Sequence, residues 1–207
     1  MKLKRMKKIG LLVVIGVAVL TFGIAVNAQD RLSMEKQVGN MEKTIYDSRN
    51  DTIYAKGNSV NVMESEVQQA VSFYEISGLT EQEAQKQGIE YAYERKALYQ
   101  EAVDKGYQVT EAEIRAYLDE LRDILESDGG SEEYEMIKSQ FDSDEDYWEY
   151  EYAVYTIDLP IQKYVADLEK DYYEKNDDEE IDIQDAWIEY FENYKNELVE
   201  KENFQKQ

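Results

Sequence analysis

The sequence predicts an elongated all-α protein, and three observations carry the prediction. One proline and ten glycines in 207 residues leave long stretches without a helix breaker. Thr80-Glu81-Gln82-Glu83 and Thr110-Glu111-Ala112-Glu113 both fit the capping box, in which a threonine and a glutamate three residues on satisfy each other's free backbone N–H groups. Behind the second box, Ile114, Tyr117, Leu118, Leu121 and Leu125 recur at the spacing of one helix face.

The chain opens with Lys2, Lys4, Arg5, Lys7 and Lys8, and then runs without charge from Ile9 to Val26. Val26 and Ala28 stand at the −3 and −1 positions of a cut after Ala28, so residues 1–28 read as a signal peptide. The alternative is an uncleaved anchor, because an 18-residue apolar run (residues 9–26) is just long enough to tether the chain in a bilayer. In both readings the basic end stays inside and the rest lies outside the cytoplasm. An exported chain without cysteine suits a Gram-positive cell surface.

Residues 29–50 are polar and read as a tether. Ile53-Tyr54-Ala55 and Val60-Asn61-Val62, joined by Lys56-Gly57-Asn58-Ser59, predict a very short hairpin. Val67, Ala70, Val71 and Tyr74 then predict a helix that stops at Ser77-Gly78. The first capping box starts a helix that runs to Lys105 and stops at Gly106. Asp128-Gly129-Gly130 ends the next helix, and residues 131–141 form a short one. Ser143-Asp144-Glu145-Asp146 begins another, with acids where the helix dipole favours them. Pro160 predicts a kink or break near Ile157-Asp158, with helix resuming from Ile161 to Lys175. Asn176 to Glu180 is a charged turn. A last helix, about Asp182 to Asn203, sets Trp187, Phe191, Tyr194 and Leu198 on one face and is expected to pack back on the body.

Composition excludes several function classes. With 46 Asp and Glu against 23 Lys and Arg, there is no clustered cationic face for nucleic acid. Without Cys or His, thiol catalysis, hydrolytic triads and most zinc sites are absent. Asp142-x-Asp144-x-Asp146 has calcium-loop spacing, but Tyr147 replaces the turn glycine and Ala153 the twelfth-position glutamate. Asp178-x-Glu180-x-Asp182 places Glu189 twelfth but has Ile183 at the glycine position. Both are expected to be helix starts or turns, so no metal and no cofactor is expected. Paired carboxylates for glycoside hydrolysis need a rigid cleft, which such a helical chain does not promise.

Two stretches resemble a known family. Ile53 through Val67 resembles the hairpin-then-helix opening of the SurA N-terminal-like domain, found in extracytoplasmic chaperones and foldases of the PrsA type. Glu94 through Ile114, with Leu98, Gln100-Glu101-Ala102, Lys105-Gly106 and Val109-Thr110 leading to Glu113-Ile114, is similar to that family's helix–turn–helix junction. Phe141 through Tyr152 resembles its next helix. The likeness covers about residues 50–175, so 51–175 is expected to form the helical domain and 176–207 the turn and returning helix. Met63 stands where the family carries a Ser or Thr cap. Foldase members also insert an isomerase domain of about a hundred residues, for which only 176–183 offers room. The resemblance therefore implies a chaperone body without the isomerase.

Aromatic residues are the expected binding surface. The chain has 18 Tyr, 5 Phe and 2 Trp. Trp148, Tyr152 and Tyr155 share one face of their helix, and Tyr147 and Tyr150 an adjacent one, giving an arc wider than a surface helix needs. Core packing is one reading. The other is a partly open groove in which Tyr147, Trp148, Tyr152, Tyr155 and Trp187 hold unfolded segments. The expected function is an exported, ATP-independent, non-enzymatic chaperone for partly folded secreted polypeptides. The alternative is a non-catalytic subunit of a cell-envelope or spore complex, and peptidyl-prolyl isomerisation ranks last.

Overall fold

Both capping boxes start helices. Glu83 accepts the Thr80 N–H at 3.1 Å while Thr80 Oγ1 accepts the Glu83 N–H at 3.4 Å. Thr110 and Glu113 exchange the same bonds at 2.9 and 3.3 Å. The computed structural model describes residues 28–49, 52–127, 132–176 and 183–207, with side chains from Leu32 onward. The signal segment up to Asn27, Asp128-Gly129-Gly130, and most of the acidic turn with Asp178, Glu180 and Asp182 lie outside these residues. Among the described residues no helix is long and apolar enough to cross a membrane.

The architecture is all-α with a minimal sheet. In chain order the elements are α1 (Ala28–Ser48), β1 (Ile53–Lys56), β2 (Asn61–Met63), α2 (Glu64–Ile76), α3 (Glu81–Asp104), α4 (Glu111–Glu126), α5 (Glu132–Lys138), α6 (Asp144–Lys175), α7 (Ile183–Glu202) and β3 (Gln205–Lys206). The hairpin forms where the sequence places it, with Ala55 opposite Val62 and both fully buried. Met63 has no oxygen to cap α2, and only the return bond from its N–H to Glu66 remains, at 2.9 Å. Gly106, at φ 89°, turns the chain after α3 in the left-handed region that suits glycine.

Two expectations are corrected, and one strand is added. Residues 29–50 are not a tether: α1 packs against α2 and α5 with Val38 and Ile45 buried. Val38, Met41 and Ile45 are spaced for one helix face, and Gly39 lets the helix sit directly on α5. A side chain at Gly39 would meet the Ile137 carbonyl oxygen at 2.8 Å. Pro160 does not split its helix, and α6 runs unbroken for 32 residues. The missing N–H costs one backbone hydrogen bond. Burial of Tyr155, Leu159, Pro160 itself and Tyr164 on both sides of that point offsets the loss. Beyond the last helix, Gln205 and Lys206 pair antiparallel with Lys56 and Ala55, completing a sheet of order β2-β1-β3.

Helix α6 is the spine, touching α1, α3, α4 and α7. Helices α2 and α3 lie close together because Gly88 leaves no side chain against Val71, whose backbone N would lie 2.6 Å from an added Cβ, and α3 crosses α6. At this crossing Arg95 of α3 pairs with Asp158 of α6 at 2.7 Å, and Lys96 pairs with Glu66 of α2 at 2.8 Å. Helix α7 lies along α3, tied by Lys195–Glu94 and Lys201–Glu101, both at 2.6 Å.

Candidate polypeptide-binding surfaces

The five residues expected to line one groove do not line one. Tyr147 and Tyr155 are interior, with 3 and 1 % of their surface exposed. Tyr155 joins Ile114, Leu118, Leu121 and Leu159 between α4 and α6, and Tyr147 joins Tyr134, Ile137, Phe141 and Tyr150 beside α5. Trp148 and Tyr152 are half-buried, and arginines of α4 cover their faces. Arg122 stands 5.6 Å from the Trp148 ring and Arg115 4.6 Å from that of Tyr152. These four rings are mainly the mortar between α4, α5 and α6. Trp187 packs elsewhere, at the far end of α6.

There the structure presents a surface that the sequence only half revealed. Trp187 stacks on Phe191 one turn away at 5.2 Å, and Tyr172 of α6 meets Trp187 at 5.4 Å and Tyr190 at 4.8 Å. Tyr190 and Tyr194 lie parallel within 4°, and the Tyr194 hydroxyl bonds that of Tyr164. Trp187 is buried, but Tyr190 and Ile188 are 38 and 52 % exposed. Exposed Asp185, Glu189, Glu192, Asp171 and Glu174 flank the rings on both helices. Burial raises the Tyr190 phenol, with the nearby Tyr164 hydroxyl adding to it, so the ring stays neutral and amphipathic. The signal was present in the sequence as Trp187, Tyr190, Phe191 and Tyr194. Tyr190 falls beside the stripe that packs inward, and the partner Tyr172 belongs to a different helix.

A second concavity lies between α1, α2 and α6, with a cavity volume of about 120 Å³. Glu42 of α1, only 1 % exposed, forms part of its wall, together with Tyr46, Gln69 and Tyr150. Gln69 donates to the Tyr150 hydroxyl at 2.8 Å, and that hydroxyl in turn bonds the Glu42 carboxyl. Behind it Glu151 of α6 is also buried and bonds the Tyr147 hydroxyl. One oxygen on each carboxyl has no partner. Burial raises Glu42 well above the carboxylate range, and the neighbouring Glu151 adds to the effect. Burial pushes Glu151 up to about 8, against the Tyr147 hydrogen bond. Sequence reasoning missed both acids, which look like any other glutamate in an acid-rich chain.

The aspartates at calcium-loop spacing have other duties. Ser143 bonds Asp146 at 2.7 Å and caps α6, Asp142 pairs with Lys43 at 3.1 Å, and Asp144 faces Lys138 at 3.6 Å. Among the described residues no group of three acidic side chains is arranged for a metal. Chemically, the molecule offers an aromatic surface in an acidic frame and a carboxyl-lined cleft. No protein-family model, no curated protein and no solved structure matches this chain.

Proposed function

We propose that the protein is an exported, ATP-independent, chaperone-like protein that holds non-native polypeptide on apolar and aromatic helix faces without covalent chemistry. The observation that carries this reading is the α6–α7 surface. Tyr172, Ile188 and Tyr190, seated around the buried Trp187, present apolar area with few directional groups, and the surrounding carboxylates keep it soluble. Loose specificity needs such adaptable area more than precise hydrogen bonding. The SurA-like order of residues 53–67 and 94–114 supports the same reading. The basic start and the apolar run 9–26 support a place outside the cytoplasm, secreted or held at the membrane face.

The test is a refolding client diluted from denaturant with excess purified protein. Wild type delays aggregation, and a double variant Ile188→Ser with Tyr190→Ser loses most of the delay while remaining folded. Wild type without any delay overturns the proposal. A single stoichiometric partner, with no effect on unrelated clients, would instead favour the envelope-complex subunit. Acceleration of a proline-limited refolding step would favour isomerase activity.

A further inference from the structure

Half-buried rings elsewhere in the molecule are covered by its own cations, because the electron-rich face of a ring attracts positive charge. Arg49 rests on Tyr46 at 4.1 Å, Arg115 on Tyr152 at 4.6 Å, Arg122 on Trp148 at 5.6 Å and Lys206 on Tyr54 at 4.8 Å. The α6–α7 edge is different. Tyr172 and Tyr190 meet at 4.8 Å and Tyr190 and Tyr194 at 6.1 Å, which makes a continuous row of three phenols. Among the described residues no cation lies over any of the three.

The lysines of these two helices are engaged elsewhere. Lys195 pairs with Glu94 and Lys201 with Glu101, both at 2.6 Å, and Lys170 faces Glu174 at 3.9 Å. Lys175 occupies the last turn of α6, where the helix dipole favours a cation. Carboxylates, by contrast, stand free beside the row. Glu197 lies two turns on from Tyr190 on the same face of α7 and, after burial and Tyr164, helps to raise the Tyr190 phenol. Asp171 precedes Tyr172 and acts on Tyr107, whose phenol is raised chiefly by its hydrogen bond to Asp167 and whose ring meets Tyr164 at 5.3 Å. Asp171 and Glu197 are both exposed, and neither has an ion pair or hydrogen bond among the described residues.

We propose that this edge receives a cationic, partly apolar polypeptide segment, with a lysine or arginine resting on Tyr172, Tyr190 and Tyr194 and its charge matched by Asp171 and Glu197. The proposal rests on the polypeptide-holding reading above and gives it a substrate class. The apolar stem of a long cationic side chain covers ring surface while its head reaches the carboxylates. An anionic segment meets like charge at the same place and is turned away.

The experiment compares three labelled peptides of one length by fluorescence anisotropy, at low and at physiological salt. They share the same apolar residues and carry lysine, serine or glutamate at the remaining positions. The lysine peptide is expected to bind about tenfold tighter than the serine peptide, less so at higher salt, and the glutamate peptide most weakly. Asp171→Asn with Glu197→Gln should cut the lysine-to-serine ratio to about threefold or below and leave serine-peptide binding in place. Glu120→Gln with Asp123→Asn removes the same charge from the exposed side of α4 and should keep the ratio. Equal binding of the lysine and serine peptides by wild type overturns the proposal, as does an unchanged ratio in the folded Asp171/Glu197 variant. An equal fall in the α4 variant also overturns it, since the attraction would then come from the net charge of −23 and not from this edge. Aggregation suppression without preference among the peptides removes this proposal and keeps the chaperone reading. Lysine-peptide preference without aggregation suppression removes the chaperone reading and leaves the edge as the site of one cationic partner.

Discussion

The two ends of α6 use the same amino acid in opposite ways. Between Asp144 and Leu159 the helix is enclosed by α1, α4 and α5, and Tyr147, Tyr150 and Tyr155 are interior, with Tyr147 and Tyr150 turning their hydroxyls to the buried carboxyls of Glu151 and Glu42. From Tyr164 to Tyr173 the same helix is covered chiefly by α7, and Tyr172 and Tyr173 meet the α7 rings at tilted angles along a half-open edge. Tyrosine abundance therefore does not mark a binding surface by itself. What surrounds each ring decides: a second and third helix make mortar, whereas a single helix leaves a surface.

Three changes would break or sharpen this contrast. Tyr155→Ala, at a site 1 % exposed, should cost about 3–5 kcal/mol in urea unfolding, as truncation of a large buried ring does. A loss below about 1 kcal/mol would mean that the enclosed end is not packed as described. Next is Glu151→Gln. Its folded pKa of about 8 lies above the ordinary 4.5, so its stabilising contribution is complete below about pH 4.5 and is lost as pH rises through about 8. The wild-type protein should lose up to about 1.4 kcal/mol per pH unit across that window from this group, and the glutamine variant should flatten the decline and melt higher at the alkaline end. Identical pH profiles would remove Glu151 as the cause. The smallest stability effect is expected of Tyr190→Ser, within about 0.5 kcal/mol, as for an exposed substitution. A larger loss would show that the half-open end is core after all.

Local chemistry was readable from sequence and long-range chemistry was not. Thr80 and Thr110 announce helix starts because their partners Glu83 and Glu113 are three residues away. The apolar stripe of α4 likewise names its own buried residues, Ile114, Leu118 and Leu121. Helix α1 escaped because its buried face includes Gly39 and Glu42, neither of which raises an apolar count, and its partner Ile137 lies some hundred residues on. The continuity of α6 through Pro160 escaped because tertiary burial, absent from any sequence window, outweighs one missing bond. Of the expected binding residues, Trp187 led to the α6–α7 surface, but Tyr172 completes it from another helix.

The pairing of β3 with β1 has a consequence for how the molecule comes to be. Glu202 accepts the Ser59 N–H at 2.8 Å, its carbonyl takes the Asn58 N–H at 2.7 Å, and Phe204 stacks on Tyr93 at 4.6 Å. The hairpin turn is therefore secured by residues made more than 140 positions later. A loop of that length adds little further entropy to closure but delays it, since contacts distant in sequence form last. A chain emerging N-terminus first can settle α2 on α3 early, yet it must keep its hairpin waiting until residues 202–207 arrive. The last few residues act as a latch, and shortening them should leave the helices formed and the hairpin exposed to proteolysis.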